Sequence, residues 1–258
     1  MTKYWEPGKV KTRLAGSWLQ SPTQLDCWTA PPHESPPLTQ ENGFNLASKL
    51  HRSFVLYLLQ RLRDCGTERE LVGSPRERLQ ELAAATNSSW RVVDQGEGDL
   101  GDRMSRWFLR ESVDTGLPTS GLPANTPAKA PSVLIGSDCP LLDTEAIAAA
   151  FASLTSHNLV LGPASDGGYY LIGMSSHAPP EQVRSIFDGI AWSTSDVLAE
   201  TVRAAEKIGW RVGFLETRDD VDSVEDLNRL LALAKTKSEY SGFYEELIEV
   251  INSSPEMP

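Results

Sequence analysis

The sequence predicts an α/β fold with a mostly parallel sheet covered by helices on both faces. Short apolar segments alternate with amphipathic helical patterns along the second half of the chain, which is typical of such sheets. In addition, Asp138 and Asp166 each follow an apolar, strand-like segment. Because ligands bind at the carboxyl ends of strands in α/β sheets, both acids are candidate site residues.

A chain of 258 residues with 40% hydrophobic content is long enough for one large domain with a substantial core. We therefore expect a single domain over residues 1–258. Two proline-rich segments interrupt it, at residues 21–43 and 114–131. Proline fixes φ and removes an amide donor, so neither segment is expected to contain a central strand or a helix interior. Both are predicted to be insertions.

The strongest helical pattern lies between these two insertions. An apolar residue recurs every four positions from Leu46 to Leu62, which predicts an amphipathic helix. A weaker helical pattern covers residues 76–85, and residues 90–93 have the pattern of a strand.

After residue 131 the sequence predicts regular alternation. The predicted strands are Val133–Ile135, Leu159–Leu161, Tyr169–Ile172 and Trp210–Leu215. The predicted helices begin after the cap candidates Asp143 and Thr144, cover residues 197–208 before Gly209, and cover Leu227–Leu233 after a capping box of Ser223 and Asp226.

The net charge of −11 argues against nucleic acid or an anionic membrane as the main partner. No apolar run approaches the roughly 20 residues that span a bilayer, and the N-terminus lacks the apolar core of a signal peptide. The cysteines Cys27, Cys65 and Cys139 have no metal-ligand spacing. We therefore expect reduced thiols and a cytoplasmic location.

A basic segment lies close to the N-terminus. Gly8 precedes Lys9, Lys11 and Arg13, which alternate with other residues. In an extended loop, Lys11 and Arg13 would project from the same side and could bind phosphate oxygens. The alternative is a solvated basic terminus without a ligand.

The acids suggest a metal. One or two carboxylates together with substrate phosphates commonly bind Mg²⁺, and Asp138 before Pro140 suits that role; alternatively, it is a turn or cap residue. Asp166-Gly167-Gly168 either lets a substrate approach the backbone or only forms a tight turn.

A group of three acids precedes the last predicted helix. Asp219, Asp220 and Asp222 fall within four residues and would repel one another unless a cation offsets them. They could also complement the N-terminus of that helix. The histidines lack zinc-site spacing, and the sequence contains no serine-hydrolase elbow, Walker A motif or dinucleotide fingerprint.

Six motifs in order resemble the transferase 1 family that is associated with radical-SAM and selenium-domain proteins. That family has the GT-A nucleotide-diphospho-sugar transferase fold, a three-layer sandwich, and is similar to phospholactate guanylyltransferases. The motifs are residues 4–14 (YWEPGKVKTRL), 95–104 (QGEGDLGDRM), 136–140 (GSDCP), 162–173 (GPASDGGYYLIG), 191–194 (AWST) and 220–227 (DVDSVEDL).

The resemblance implies roles for particular residues. Lys11 and Arg13 would hold a nucleoside triphosphate, and Asp138 and Asp222 would bind Mg²⁺ or Mn²⁺. Other residues of the motifs would bind the nucleotide or the substrate: Gly8, Lys9, Thr12, Gly98, Asp99, Arg103, Ser137, Asp166, Gly167, Gly168, Trp192, Ser193 and Thr194.

The chain departs from the family pattern in three places. Trp5 stands where the family usually has proline, and the segment 21–43 is longer than usual. The family also has an apolar strand just before the basic segment, as the first, central strand of the sheet. Here Met1-Thr2-Lys3 is all that precedes it, so we expect that strand to be nearly absent and its neighbours to have unpaired edges.

The leading function is metal-dependent transfer of a nucleotidyl group from a nucleoside triphosphate to a small acceptor with a phosphate or carboxylate. One alternative is a glycosyltransferase that uses a nucleotide sugar, and another is a degenerate nucleotide-binding protein without activity. The sequence does not determine the base, the acceptor or the oligomeric state.

Overall fold

The structure is a computed structural model and describes residues 1–20, 39–86, 89–109, 130–176 and 178–253. Most of both proline-rich segments therefore lies outside the described residues, as does Cys27. Thr39 lies within the first segment, and its hydroxyl accepts a hydrogen bond from the Asn42 amide at 3.2 Å. It caps a long helix that begins at Gln40, so the expectation that the whole segment 21–43 is a non-helical insertion is wrong for residues 40–43.

The described residues form seven strands and nine α-helices. In chain order these are β1 (Thr2–Lys3), α1 (Thr12–Gln20), α2 (Gln40–Arg61), β2 (Glu70–Ser74), α3 (Leu79–Ala85), β3 (Arg91–Asp94), α4 (Leu100–Phe108), β4 (Ser132–Ile135), α5 (Thr144–Ser153), β5 (Leu159–Pro163), β6 (Tyr169–Met174), α6 (Pro180–Phe187), α7 (Val197–Lys207), β7 (Val212–Phe214), α8 (Val224–Thr236) and α9 (Ser241–Asn252).

The strands make two sheets. The first has the order β1-β2-β3 and is wholly parallel, with Thr2 opposite Gly73 and Leu71 opposite Val92. The second has the order β4-β6-β5-β7, in which β6 runs antiparallel to both neighbours and β7 runs parallel to β5.

The short β1 lies between the two sheets. It pairs with β2 on one side, and the amino group of Met1 donates to the carbonyl of Ile135, at the end of β4. Within the described residues, this strand has two residues, Thr2 and Lys3. These residues are held in place, because Gln95 Nε2 donates to the Thr2 carbonyl at 2.7 Å and to the Val72 carbonyl at 3.1 Å.

Helices cover both faces of the sheets. One apolar cluster joins α4, α6 and α7 to the strands through residues such as Leu161, Ile172 and Phe187. A second joins α5 and the end of α2 to the opposite face. The remaining core of the first half and the C-terminus consists of α1, α2, α8 and α9, with Trp18 and Phe54 fully buried.

The predicted α/β class with helices on both faces is confirmed. The sequence did not predict β2, α1, α4, α6 or α9. Among the described helices, none combines the length and the apolar character that crossing a bilayer requires.

Candidate active site

Lys11 lies at the centre of a group of carboxylates. Its side chain is only 2% exposed, and its Nζ lies 2.5 Å from Asp138 Oδ1 and 3.5 Å from Asp222 Oδ1. Nζ also donates to the Val221 carbonyl at 2.5 Å. Lys11 therefore joins the loop after β4 to the loop before α8.

The prediction of an extended basic loop is wrong. Lys11 has a left-handed φ of 49°, and helix α1 begins at the next residue, Thr12. Helix α1 directs Arg13 to Asp222, which Lys11 also contacts. Arg13 Nη2 lies 2.7 Å from Asp222 Oδ2, and 72% of the Arg13 side chain is exposed. The structure thus brings Lys11 and Arg13 together at Asp222.

Asp138 is anchored by its backbone. Its carbonyl accepts from the Val221 amide at 2.9 Å, and the neighbouring Cys139 Sγ donates to the Asp219 carbonyl at 3.2 Å. Partial removal from water works to raise the pKa of the Asp138 carboxyl, but the charge and the hydrogen bond of Lys11 oppose it, and the net pKa is lowered. Asp138 is therefore ionised at neutral pH and has 46% of its side chain exposed, where it can reach a ligand.

A second group of acids adjoins the first. Carboxylate oxygens of Asp166, Asp220 and Asp222 lie within 4.8 Å of one another. Burial, followed by the charges of Asp166 and Asp222, raises the pKa of Asp220 to about 6. Closely placed oxygen ligands are what Mg²⁺ requires, so these residues fit a divalent cation. The Lys11 ammonium lies between the two acids, Asp138 and Asp222, that the sequence proposed as the metal ligands.

The site has an excess of negative charge. Lys11 and Arg13 contact Asp138 and Asp222, whereas Asp166 and Asp220 add two carboxyl groups close by. Such a site would repel a triphosphate unless a cation bound with it.

The glycine turn after β5 packs tightly against the loop before α7. Gly167 has φ 92°, and a side chain there would collide with the Ser195 carbonyl at 2.1 Å. The Leu198 amide also donates to the Gly167 carbonyl at 2.9 Å. The Gly168 amide donates a hydrogen bond to Asp166 Oδ1 at 2.9 Å, which fixes the position of Gly168 relative to Asp166.

The loop before α7 also packs against α4. A side chain at Gly101 would lie 2.7 Å from the Trp192 ring, so the two segments are in close contact. Asp99 caps α4 by accepting from the Asp102 amide at 2.9 Å. Arg103 donates to the Gly98 carbonyl at 3.0 Å and to Gln95 Oε1 at 3.2 Å.

The other residues implied by the resemblance lie at turns of these segments. Gly8 has φ 75° and Ser193 has φ 67°, both left-handed, while Thr194 Oγ1 donates to the Ala191 carbonyl at 2.8 Å. Lys9 is exposed and Ser137 half-buried. Their contacts with substrate stay predictions.

Two supporting residues were missed by the sequence reasoning. His51, buried in α2, has its Nε2 at 3.1 Å from both Thr2 Oγ1 and the Lys3 carbonyl. Burial lowers its pKa, which favours the neutral ring. Gln95 links β1 to Arg103. Gln95 lay within a motif, but nothing marked His51 apart from its place in the helical pattern.

Comparison with known proteins identifies the family. Residues 58–194 match the family described as "Uncharacterized protein conserved in bacteria (DUF2064)", which is more than half of the chain. The chain belongs to this family. The matched part of this DUF2064 protein contains Asp138, Asp166 and Trp192, whereas Lys11 and Asp222 lie outside it.

A solved structure extends the likeness to both ends of the DUF2064 chain. It is that of a "putative nucleotide-diphospho-sugar transferase" from Desulfovibrio desulfuricans G20, with 30% identity and a TM-score of 0.73 over 98% of this chain and 95% of that chain. The predicted GT-A type of fold is therefore confirmed. No curated protein matches the chain.

Proposed function

We propose that this DUF2064 protein is a metal-dependent nucleotidyltransferase. It would move a nucleotidyl group from a nucleoside triphosphate to a small acceptor that carries a phosphate or a carboxylate. The observation that carries the proposal is the meeting of Lys11 and Arg13 with Asp138 and Asp222 at one end of the strands. Two cationic side chains that could bind a polyphosphate therefore lie next to two carboxylates that could bind a metal. The similarity to the Desulfovibrio transferase supports transfer chemistry in general.

Mg²⁺ or Mn²⁺ would be held by Asp222 together with either Asp138 or the pair Asp166 and Asp220. The first arrangement is the one implied by the sequence resemblance and requires the Lys11 ammonium to leave the space between the two acids. The second uses the cluster whose oxygens already lie within 4.8 Å. When bound, the metal would neutralise charge on the phosphate oxygens.

The chain's own cations would act on the leaving group. An oxygen of the acceptor attacks the α-phosphorus, the bond from that phosphorus to the bridging oxygen of the β-phosphate breaks, and pyrophosphate leaves. Lys11 and Arg13 would donate to the pyrophosphate oxygens as their charge grows. Arg13 is exposed, so it can turn from Asp222 to a ligand without unfolding α1.

The neighbouring segments would bind the rest of the substrates. The turn of Asp166, Gly167 and Gly168 would face the ribose or the acceptor with the exposed Asp166 carboxyl group, since the space beside Gly167 is filled by Ser195. Gly98, Asp99 and Arg103, together with Trp192, would shape the nucleotide pocket. Asp99 would still accept the hydrogen bond from the Asp102 amide that caps α4.

The second candidate is a glycosyltransferase, which is favoured by the name of the Desulfovibrio protein. A glycosyltransferase needs an acidic residue that binds the metal, but it depends less on two cationic side chains at the polyphosphate. To separate the two, the protein is incubated with Mg²⁺ and each nucleoside triphosphate or nucleotide sugar, with a panel of phosphorylated and carboxylate acceptors. Released pyrophosphate supports the proposal, released nucleoside diphosphate supports the glycosyltransferase, and no turnover with any pair contradicts both.

We expect Asp138→Asn to lower turnover by at least a hundredfold, because it removes a charge worth several kcal/mol in the transition state. Folding should change little, since the Lys11 ammonium keeps Asp222 and the Val221 carbonyl. Asp64→Asn is the matched control, because Asp64 is 85% exposed and pairs with Arg63. Equal turnover in the two variants would remove Asp138 from the mechanism.

A further inference from the structure

The Lys11 ammonium occupies a place that is built from oxygen atoms. Its Nζ lies 2.5 Å from Asp138 Oδ1, 2.5 Å from the Val221 carbonyl oxygen and 3.5 Å from Asp222 Oδ1. Carboxylate and carbonyl oxygens are also the ligands that hard divalent cations take. The ammonium therefore stands in for a metal ion between the two acids, and a metal ion cannot enter this space while the ammonium fills it.

Only the side chain of Lys11 has to move for the space to open. The Lys11 carbonyl accepts from the Ala15 amide at 3.0 Å at the start of α1, which fixes the backbone. Toward the core, Nζ lies 5.7 Å from the centre of the Phe54 ring, which is fully buried. The Asp138 side chain, in contrast, is 46% exposed. The ammonium can therefore leave toward the solvent but not into the core.

The ammonium loses its partners when it leaves the two acids. The Lys11 side chain is only 2% exposed, and a buried charge without a partner is strongly destabilising. The oxygens of a triphosphate would replace the lost partners, because a lysine ammonium binds phosphate as a point charge. A triphosphate therefore lowers the free energy needed to open the space, whereas a metal ion without a triphosphate has to displace the ammonium alone.

Arg13 contacts the same acid without filling this space. Its Nη2 lies 2.7 Å from Asp222 Oδ2, whereas Lys11 is nearest to Asp222 Oδ1. Replacing either residue with a neutral one removes one positive charge from beside Asp222. Only a replacement of Lys11 also vacates the place between Asp138 and Asp222, so Arg13 provides a matched comparison.

We propose that Lys11 is an exchangeable cation that couples metal binding to nucleotide binding. The exchange rests on the proposed function: the ammonium passes from Asp138 and Asp222 to the polyphosphate when a metal-bound nucleoside triphosphate enters the site. In the absence of a polyphosphate, Lys11 keeps the two acids closed to divalent cations. Metal and triphosphate each bind more tightly in the presence of the other, because the coupling of two binding free energies is reciprocal.

The first test measures Mn²⁺ binding without nucleotide by calorimetry, with circular dichroism to verify that each variant is folded. Lys11→Met should bind Mn²⁺ about tenfold or more tightly than the wild type. Arg13→Ala should gain far less, although it also removes a positive charge beside Asp222. Lys49→Met, which removes an exposed lysine, should match the wild type. The ratio of affinities between Lys11→Met and the wild type should persist in high salt, which screens exposed charges.

Double variants locate the cation. Lys11→Met combined with Asp138→Asn should lose the gain in Mn²⁺ affinity, whereas Lys11→Met combined with Asp166→Asn should keep it. Equal Mn²⁺ affinity of Lys11→Met and the wild type would overturn the proposal. An equal gain in Arg13→Ala, or a gain that depends on Asp166 instead of Asp138, would overturn it as well.

Chemical labelling follows the ammonium in the wild-type protein. Acetylation of amines, read by mass spectrometry, should be slow at Lys11 in the free protein and faster at saturating Mn²⁺. Inorganic tripolyphosphate added with Mn²⁺ should make it slow again, with the exposed Lys9 as internal reference. A Lys11 reactivity that saturating Mn²⁺ leaves unchanged would contradict the exchange.

Failure of the proposed function gives a different result. If no nucleoside triphosphate yields pyrophosphate but Mn²⁺ still competes with Lys11, then the proposed reaction is wrong and the exchange stands. If pyrophosphate is released but Lys11→Met and the wild type bind Mn²⁺ equally, then the exchange is wrong and the reaction stands.

Discussion

At the scale of single residues, the site depends on one buried cation. Lys11 adopts a left-handed backbone, which costs on the order of 1–3 kcal/mol for a residue with a side chain. Its ammonium contacts Asp138, Asp222 and the Val221 carbonyl, and these contacts offset that cost. Since the same ammonium would bind phosphate, the resting protein holds it close to where a ligand would need it.

We expect Arg13→Ala to weaken triphosphate binding by about tenfold or more, since a hydrogen bond to a charged group contributes roughly 1.5–3 kcal/mol. Monophosphate binding should change far less, because the contact is made to the outer phosphates. Calorimetry with both nucleotides in the presence of Mg²⁺ measures this. Arg63→Ala, which removes an exposed arginine paired with Asp64, is the control.

Lys11→Met should also weaken triphosphate binding more than monophosphate binding, and its loss of triphosphate affinity should exceed that of Arg13→Ala. Equal losses for triphosphate and monophosphate in either variant would instead favour a general electrostatic effect.

The identities of the charged residues were predictable, but their geometry was not. Lys11, Arg13, Asp138 and Asp222 were all singled out from the sequence. That Lys11 would be buried between two acids depends on its left-handed φ and on the start of α1 at Thr12, and no local pattern predicts either. The cluster at Asp220 was indicated by the sequence, because several acids that close together repel one another unless a cation offsets them.

At the scale of elements, one capping residue connects α5 to the loop that carries the acids. Asp143 accepts from the Ala146 amide at 2.8 Å and from Arg218 Nη2 at 2.8 Å. Arg218 in turn donates to the Leu141 carbonyl, and its backbone bonds to Pro163 and Ser165. Asp143 therefore steadies both the helix and the start of the acidic loop.

We expect Asp143→Ala to lower the free energy of unfolding by about 1–2 kcal/mol, as the loss of a helix cap does. Asp143→Asn should lower it less, because an amide oxygen can still accept from Ala146. Urea denaturation at neutral pH measures both.

The charge of Asp143 adds a pH dependence. Burial works to raise its pKa, but Arg218 and the Ala146 amide lower it overall. A lowered folded pKa stabilises the protein above the unfolded value of about 3.9, and this stabilisation is lost as the pH falls through the folded pKa. The advantage of the wild type over Asp143→Asn should therefore be full at neutral pH and disappear in acid. A difference that stays constant across this range would contradict the ionic role.

Elements with a long apolar stripe were predictable, such as α2, whereas β2 was not. β2 has five residues and includes Gly73, which a sequence pattern treats as unfavourable for a strand. The structure shows the reason for the glycine: a side chain there would lie 2.4 Å from Leu82 Cδ1. The close packing of α3 on the sheet requires Gly73, and that contact is tertiary.

At the scale of the whole molecule, the balance of charge governs stability. The chain carries a net charge of −11, and part of this excess is concentrated at Asp166, Asp220 and Asp222. Relief of such repulsion by a bound cation stabilises the folded state, because an unfolded chain has no preformed site.

We expect Mg²⁺ or Mn²⁺ to raise the Tm. At about a hundred times the dissociation constant, the gain is about 2.7 kcal/mol, or roughly 5–10 °C for a protein of this size. Differential scanning calorimetry measures it at constant ionic strength, with NaCl as the comparison salt.

Asp222→Asn should abolish this rise, because Asp222 belongs to both proposed sets of ligands, and Asp64→Asn should preserve it. A rise of equal size in Asp222→Asn would show that the cation acts through general screening.

The contact of Lys11 with the loop before α8 also bears on the order of events during synthesis. Lys11 and Val221 are 210 positions apart, and contacts of such separation form late because a long loop must first close. A ribosome that adds about 5–20 residues each second needs roughly 10–40 s between them. Until then Lys11 and Arg13 lack Asp222, so a nascent or truncated chain cannot present the assembled site to a nucleotide.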